Sequence, residues 1–303
     1  MRGYTLTIDE KNYDYSNPGF AVDQSTGESL ETVLMEVPIG SRVYTPKQQQ
    51  EYTKRKEQEE TRRRSVSNNK ALGEFVFLRN IHYPDLSPET LTRLVYLNSF
   101  VGFTENLLIN DEGKPIQRKD LPHILNVSKA VASVFFNEVC PKYLHQRDDG
   151  ALVSSSDHFV RGKLKQVPNS YYRKVYIKGI RKLYRETPPT RHKHLGYLFA
   201  LLPYINIEYN LLCRNPAETE IESIQPITLR EFCDILGFDF SNVSRLRQIY
   251  RELRFKVGND WQRFCTFVND GVDIGKSLVF INPRILYSGS DFAKVEVLTH
   301  GFQ

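Results

Sequence analysis

The chain is expected to be an α+β protein, mainly α, made of two tandem copies of one plan behind a β-like N-terminal extension. Three observations lead there. Amphipathic segments at helical period outnumber strand-like ones. Two strong hairpin turns, Arg147-Asp148-Asp149-Gly150 and Asn269-Asp270-Gly271, each close a run of short helices. The letters also repeat at one offset. Leu94-Val-Tyr-Leu lies 104 residues before Leu198-Phe-Ala-Leu, and Asn106-Leu-Leu-Ile lies 104 before Asn210-Leu-Leu-Cys. Two separated matches at a constant offset weigh more than either alone. Lys119-Asp-Leu-Pro-His-Ile-Leu then corresponds to Arg230-Glu-Phe-Cys-Asp-Ile-Leu after a small insertion.

Residues 1–44 contain short strand-like pieces broken by Asn17-Pro18-Gly19 and Thr26-Gly27, with Leu30 to Val37 a further strand. Residues 45–70 have almost no apolar side chain. Glu51 with Arg55 and Lys56 with Glu60 stand at i,i+4, which suits a solvated helix or a charged linker. Arg62-Arg63-Arg64 adds a positive patch that could lie along phosphates.

Residues 71–165 form the first copy. Ser87-Pro88-Glu89 starts a helix with a cap, a proline in the first turn and an acid. Leu91, Leu94, Val95, Leu97 and Val101 continue it. Asn106 to Ile109 reads as a strand and Lys119 to Leu125 as a short helix. Val127 to Val139 reads as a second helix, backed by Val127, Val131, Val134 and Phe135. The hairpin around Arg147–Gly150 follows. Three helices and a hairpin are the plan of a winged helix-turn-helix.

Residues 166–190 interleave Arg173, Lys174, Lys178, Arg181, Lys182 and Arg185 with Tyr171, Tyr172, Tyr176 and Tyr184. That mixture suits nucleic-acid binding, and equally one helix with an apolar seam of Val175, Ile180, Leu183 and Tyr184. Pro188-Pro189 ends this connector.

Residues 191–303 form the second copy with a tail. His194 to Tyr209 reads as an apolar helix interrupted by Pro203, and Asn210 to Cys213 as a strand. Thr228 with Glu231 is a capping-box pattern, Gly237 stops that helix, and Ser241 or Asn242 caps the next. Val243, Leu246, Ile249, Tyr250 and Leu253 share its apolar face. Ser244, Arg245, Gln248 and Arg251 occupy the other, with Arg247 and Arg254 on the flanks. Gly258-Asn259-Asp260 makes a turn. The wing strands are Phe264 to Val268 and Ser277 to Ile281.

An apolar-backed helix with an arginine and amide face suits the major groove. Arginine can be bidentate to guanine and glutamine to adenine, while hydroxyls reach phosphate. The expected DNA contacts in the second copy are Ser241, Asn242, Ser244, Arg245, Arg247, Gln248, Arg251 and Lys276 on the wing. The first copy offers Lys129, Ser133 and Asn137, with Phe136 on the same outward face. Having fewer cations, it is expected to contribute less, through phosphate contact or through a protein partner at Phe136.

Composition narrows the alternatives. The chain has 303 residues, 40% apolar content and a net charge of +5. An anion-binding surface must therefore come from clustering. Cys140, Cys213, Cys233 and Cys265 are scattered with no CxxC pair, as for reduced buried thiols in a cytoplasmic protein. The opening MRGYTLTIDE lacks a signal-peptide core. No run approaches the roughly 18–20 apolar residues of a membrane span.

Catalytic signals are weak. Gly271-Val-Asp-Ile-Gly-Lys-Ser277 has one residue too few for a P-loop, and a strand-like run follows it. His192 and His194 have no carboxylate or cysteine at ligand spacing and are expected to add positive charge. Ser154-Ser155-Ser156-Asp157-His158 holds triad residue types as neighbours, whereas a triad converges from separate elements. No enzyme, metal, cofactor or small-molecule ligand is expected. Self-association as a homodimer stays open.

Leu229 to Gly237, Ser241-Asn-Val-Ser-Arg-Leu246 and Phe280-Ile-Asn-Pro-Arg-Ile-Leu-Tyr-Ser-Gly289 give the stretch 224–292 a family likeness. It resembles the RepL-type winged-helix replication proteins of Gram-positive plasmids and their phage relatives, which border on MarR-type regulators. Val22-Asp-Gln-Ser-Thr-Gly-Glu-Ser-Leu30 looks like the leader of such phage proteins. Family members usually carry one winged helix. The tandem copy resembles the two-winged-helix plasmid initiators instead. The resemblance implies double-stranded DNA binding. The expected task is replication initiation or transcriptional control, with two winged helices covering successive major grooves about 10 base pairs apart. The competing expectation is a protein-interaction module whose winged helices no longer bind DNA.

Overall fold

The structure, a computed structural model, describes residues 13–14, 20–23, 29–31, 46–79, 83–162, 172–268, 277–289 and 291–302. Helix leads strand, 47% against 20%, in a mixed α/β chain. The chain divides into Met1–Arg63 and Arg64–Gln303 rather than at the expected copy boundaries.

In the first of these, strands β1 (Tyr13–Asp14), β2 (Phe20–Asp23) and β3 (Ser29–Glu31) pair antiparallel in that order. Only the start of the expected strand Leu30–Val37 falls in β3; its remainder lies outside the described residues. Helix α1 (Pro46–Leu72) carries the charged stretch. Along it Arg63 Nη2 meets Glu59 Oε1 at 2.7 Å, while Glu51–Arg55 and Lys56–Glu60 form no ion pair among the described residues. The end of α1 belongs to the second unit. There Leu72 packs with Tyr176, Tyr287, Phe292 and Val295, and Asn68 Oδ1 accepts from the Phe292 N–H at 2.9 Å.

Within 64–303, strand β4 (Phe75–Arg79) is the middle of a sheet. Helix α2 (Pro88–Asn98) is capped as expected, Ser87 Oγ accepting from the Thr90 N–H. A 3-10 turn over Arg118–Asp120 leads into α3 (Leu121–Ile124), and α4 (Lys129–Val139) follows. Strands β5 (Leu144–Gln146) and β6 (Leu152–Ser154) make the hairpin, and β7 (Phe159–Val160) joins β4.

The stretch expected as a connector is built into this architecture. It supplies β8 (Tyr172–Tyr176), on the other edge of β4, and α5 (Ile177–Glu186). Its basic residues are largely consumed internally. Arg173 is buried, and its Nη2 donates to Ile205 O at 2.7 Å. Arg181 donates to Ser99 and Asp111, and Arg185 to Asp111 and Tyr96.

The second copy continues with α6 (His192–Ala200), shorter than expected because a 3-10 turn over Leu202–Tyr204, containing Pro203, replaces its second half. Helices α7 (Leu229–Ile235) and α8 (Val243–Glu252) follow. The hairpin β9 (Arg254–Val257) and β10 (Asp260–Arg263) precedes the pair β11 (Cys265–Val268) and β12 (Leu278–Ile281). Helix α9 (Ala293–Glu296) runs into a 3-10 turn over Val297–Phe302, whose Phe302 is buried.

The repeat survives in backbone detail. Asn106 and Asn210 both take the left-handed conformation, at φ 54° and 53°. The bridge Val101↔Leu108 recurs as Ile205↔Leu212, and Leu107↔Val153 recurs as Leu211↔Phe280. The Gly102 N–H donates to Leu107 O at 2.8 Å, and the Asn206 N–H donates to Leu211 O at 2.8 Å. In each copy a helix leads to a short extended segment, two helices, and a hairpin whose returning strand bridges back to that segment.

The copies share one hydrophobic core. Helices α2 and α6 meet so closely that a Cβ on Gly196 would lie 2.0 Å from Pro88 O. Thr92 Oγ1 donates to His192 O at 2.8 Å, and Tyr96 stacks on Tyr184 at 3.8 Å. The expectation that His192 adds positive charge is overturned. Its ring is buried, Nε2 lies 3.1 Å from Thr187 O, and burial pushes its pKa down to about 4.

Two outcomes follow from this joint. Gly196→Ala is expected to destabilise the chain by about 1–3 kcal/mol in chemical denaturation, because neither helix can retreat without opening the core. The imidazole of His192 binds a proton more readily when unfolded, so the stability linked to it is full above pH ~6.5 and falls as pH drops toward 4. Urea titrations stepped through that window are expected to lose on the order of 3 kcal/mol, and His192→Gln should flatten this decline.

Candidate nucleic-acid interface

Helix α7 is positioned by the capping box read from sequence. The Glu231 N–H donates to Thr228 Oγ1 and the Thr228 N–H to Glu231 Oε2. Arg214 adds a bidentate pair at 2.7 Å and 2.7 Å, the largest cause of holding the Glu231 carboxyl at about 2. Gly237, at φ +70°, ends the helix in a conformation that penalises other residues.

The cap of α8 differs from expectation. Neither Ser241 nor Asn242 makes a side-chain cap. Asn242 is the N-cap residue by position, as expected, but Asp239 Oδ1 accepts from the Ser241 N–H and starts a 3-10 turn over Phe240–Asn242 that runs into α8 at Val243. Leu246, Tyr250 and Leu253 are buried, while Val243 and Ile249 are half-buried at the seam. Tyr250 packs against Phe232 of α7 and Phe267 of β11, at 5.4 Å and 6.4 Å. This aromatic cluster fixes the roll of α8.

Ser241, Asn242, Ser244, Arg245, Gln248 and Arg251 are exposed. Gln248 Nε2 donates to Glu252 Oε1 at 3.2 Å, and Glu252 also pairs with Arg191 at 2.6 Å. Arg245 and Arg251 form no ion pair among the described residues. Arg247 is half-buried with its guanidinium 5.3 Å from the Phe267 ring centre; burial first, then the Arg251 charge, lowers its pKa. It braces the helix more than it presents charge. Lys276 lies outside the described residues.

On α4, Lys129 and Asn137 are exposed and Ser133 is half-buried. Phe136, expected to face outward, is buried at 6% exposure, whereas Val134, expected to back the helix, is 58% exposed. Two apolar stripes overlap on this helix. Ala132, Phe135, Phe136 and Val139 win because they bury two phenyl rings. A partner contact through Phe136 is thereby removed. Arg118 covers that ring at 4.5 Å and donates to Ser133 Oγ at 3.2 Å.

Sequence reading missed Arg118 and Lys119. Both line a cleft with Lys129, Ala132, Ser133, Gln146 and Gly150, between α4 and the hairpin. The first copy thus gathers three cations where one was expected. The signal available was their place at the turn before α3, which faces the start of α4.

Two residues of the Ser154–His158 run are used in packing. Ser154 bonds Asn98 inside the core, and His158 packs its ring 4.6 Å from that of Tyr143. Among the described residues no group of three His, Cys, Asp or Glu could hold a metal, and no helix is long and apolar enough to cross a membrane. The stretch Gly271 to Lys276 is outside the described residues, but strand β12 follows it where a P-loop needs a helix. All four cysteines are free thiols, three of them buried. No family model matches the chain, no curated protein matches it, and no solved structure matches it.

Thr228→Ala removes one side of the capping box and is expected to cost about 1 kcal/mol, read as a lower urea midpoint with an unchanged slope.

Proposed function

We propose that the chain binds double-stranded DNA sequence-specifically through two tandem winged helices, with α8 as the principal reader of the major groove. The observation that carries this reading is the outward face of α8. Ser244, Arg245, Gln248 and Arg251 point to solvent over a buried Leu246 and Tyr250, and the two arginines have no ion pair among the described residues. Unpaired guanidiniums and an amide on one helical face match the donors that guanine and adenine edges accept. The Arg118, Lys119 and Lys129 cleft supports a second, weaker contact with phosphate.

The likeness of 224–292 to RepL-type and MarR-like proteins supports a phage or plasmid setting, in replication initiation or transcriptional control. Initiation requires binding at the protein's own origin; control requires binding at promoters. Capture of genomic fragments by the purified chain separates the two.

Binding to duplex is expected to weaken steeply as salt rises, because each neutralised phosphate releases counterions. Arg245→Ala and Arg251→Ala should each cost roughly tenfold or more on the preferred site and relax its sequence preference. Lys129→Ala should weaken all sequences alike. Anisotropy titrations on specific and random duplex decide it. A larger loss for Lys129→Ala overturns the ranking, and no retention at ~50 mM salt overturns DNA binding.

A further inference from the structure

The hairpin of β9 and β10 is an addition to the repeated plan. In the first copy the chain passes from α4, ending at Val139, to β5 at Leu144 with no hairpin between. In the second copy Arg254 to Arg263 stands between α8 and β11. The register is Trp261↔Lys256 and Arg263↔Arg254. Directly opposed residues share a face, and alternate residues on a strand return to it. One face carries Phe255 and Gln262, both buried. The other carries Arg254, Lys256, Trp261 and Arg263, all exposed.

That face is unusual in three ways. It places two arginines directly opposite each other, a pairing that destabilises a sheet unless something else answers the charge. Arg254, Lys256 and Arg263 form no ion pair among the described residues. At its centre stands the only tryptophan of the chain, 44% exposed, with Arg254 and Lys256 at 5.6 Å and 5.2 Å from the ring centre.

The hairpin is also held firmly. Lys182 Nζ of α5 donates to Lys256 O at 2.8 Å, and the Lys256 N–H donates to Glu186 Oε2 at 2.7 Å. Asn282 Nδ2 donates to Arg263 O at 3.0 Å and to Gln262 Oε1 at 3.3 Å. A braced hairpin presents its outer side chains from a backbone that is already ordered, which lowers the cost of binding.

We propose that this face is a stacking site for an unpaired base, with single-stranded DNA as its ligand. The site rests on the DNA-binding reading and extends it to melted DNA beside the duplex held by α8. Cations alone would serve a duplex backbone. In a duplex each base already stacks on both neighbours, so an indole face finds no partner there. An exposed indole ringed by cations suits a strand whose bases are open and whose phosphates lie alongside. The cations against the ring are solvent-exposed side chains that can turn to phosphate as the base takes the ring.

The test uses the intrinsic emission of the full chain, since Trp261 is its single tryptophan. An oligothymidylate of roughly 15 nucleotides is expected to quench that emission to saturation. Heparin, a polyanion without bases, should leave it unchanged. By anisotropy, Trp261→Ala should weaken oligothymidylate binding by roughly fivefold or more, Trp261→Phe should keep most of it, and both should retain duplex affinity. Arg245→Ala should do the reverse. Duplex binding without oligothymidylate quenching overturns this site and leaves the duplex reading standing. Quenching without duplex binding overturns the duplex reading and leaves the site. Equal quenching by duplex or heparin, or by an acidic polypeptide alone, overturns the unpaired base as ligand.

Discussion

The contact of α2 with α6 governs the rest of the second unit. Gly196 lets the Pro88 carbonyl approach a helix axis with no side chain between. Around that contact Thr92 bonds the His192 carbonyl, Tyr96 and Tyr184 stack, and the Tyr184 hydroxyl donates to Leu125 O at 2.8 Å. These are repeated elements from two copies facing each other. Because both feed one core, α4 and α8 ride on a shared rigid base.

Arginine shows how position decides use. Arg173 is buried and ties β8 to the Ile205 carbonyl. Arg181 stacks 3.8 Å from the Phe100 ring centre while pairing with Asp111, a combination its planar fork allows. Arg118 and Arg247 lie on phenylalanine rings and steady the helices that carry the candidate contacts. Arg245, Arg251, Arg254 and Arg263 remain exposed and without an ion pair among the described residues. The cations on α8 and on the hairpin that follows it are therefore open to an anion, although the chain as a whole is only +5.

The two similar stretches share a frame and differ in the surfaces they carry. Their extended segments keep the same bridges and the same left-handed asparagine. Their outer surfaces differ: a small cationic cleft on one, an arginine face plus an added hairpin on the other. Conserving the frame while varying the face lets one fold present two chemistries.

The letters alone determined what depends on near neighbours. The Ser87 cap, the Thr228–Glu231 box, the turn at Gly150 and the stop at Gly237 involve residues within a few positions of each other. The constant offset and the exposed face of α8 were also readable, since repetition and helical period are written along the chain. Tertiary structure decided what depends on distant partners. It chose between two overlapping stripes on α4, burying Phe136 beneath Arg118 and exposing Val134. It turned an apparent connector into β8 and α5, whose cations meet Ser99, Asp111 and Ile205 far along the chain. It gave His192 a buried, neutral place. A side chain's role follows from which surface is covered from afar, and that coverage is a property of packing that local periodicity does not encode.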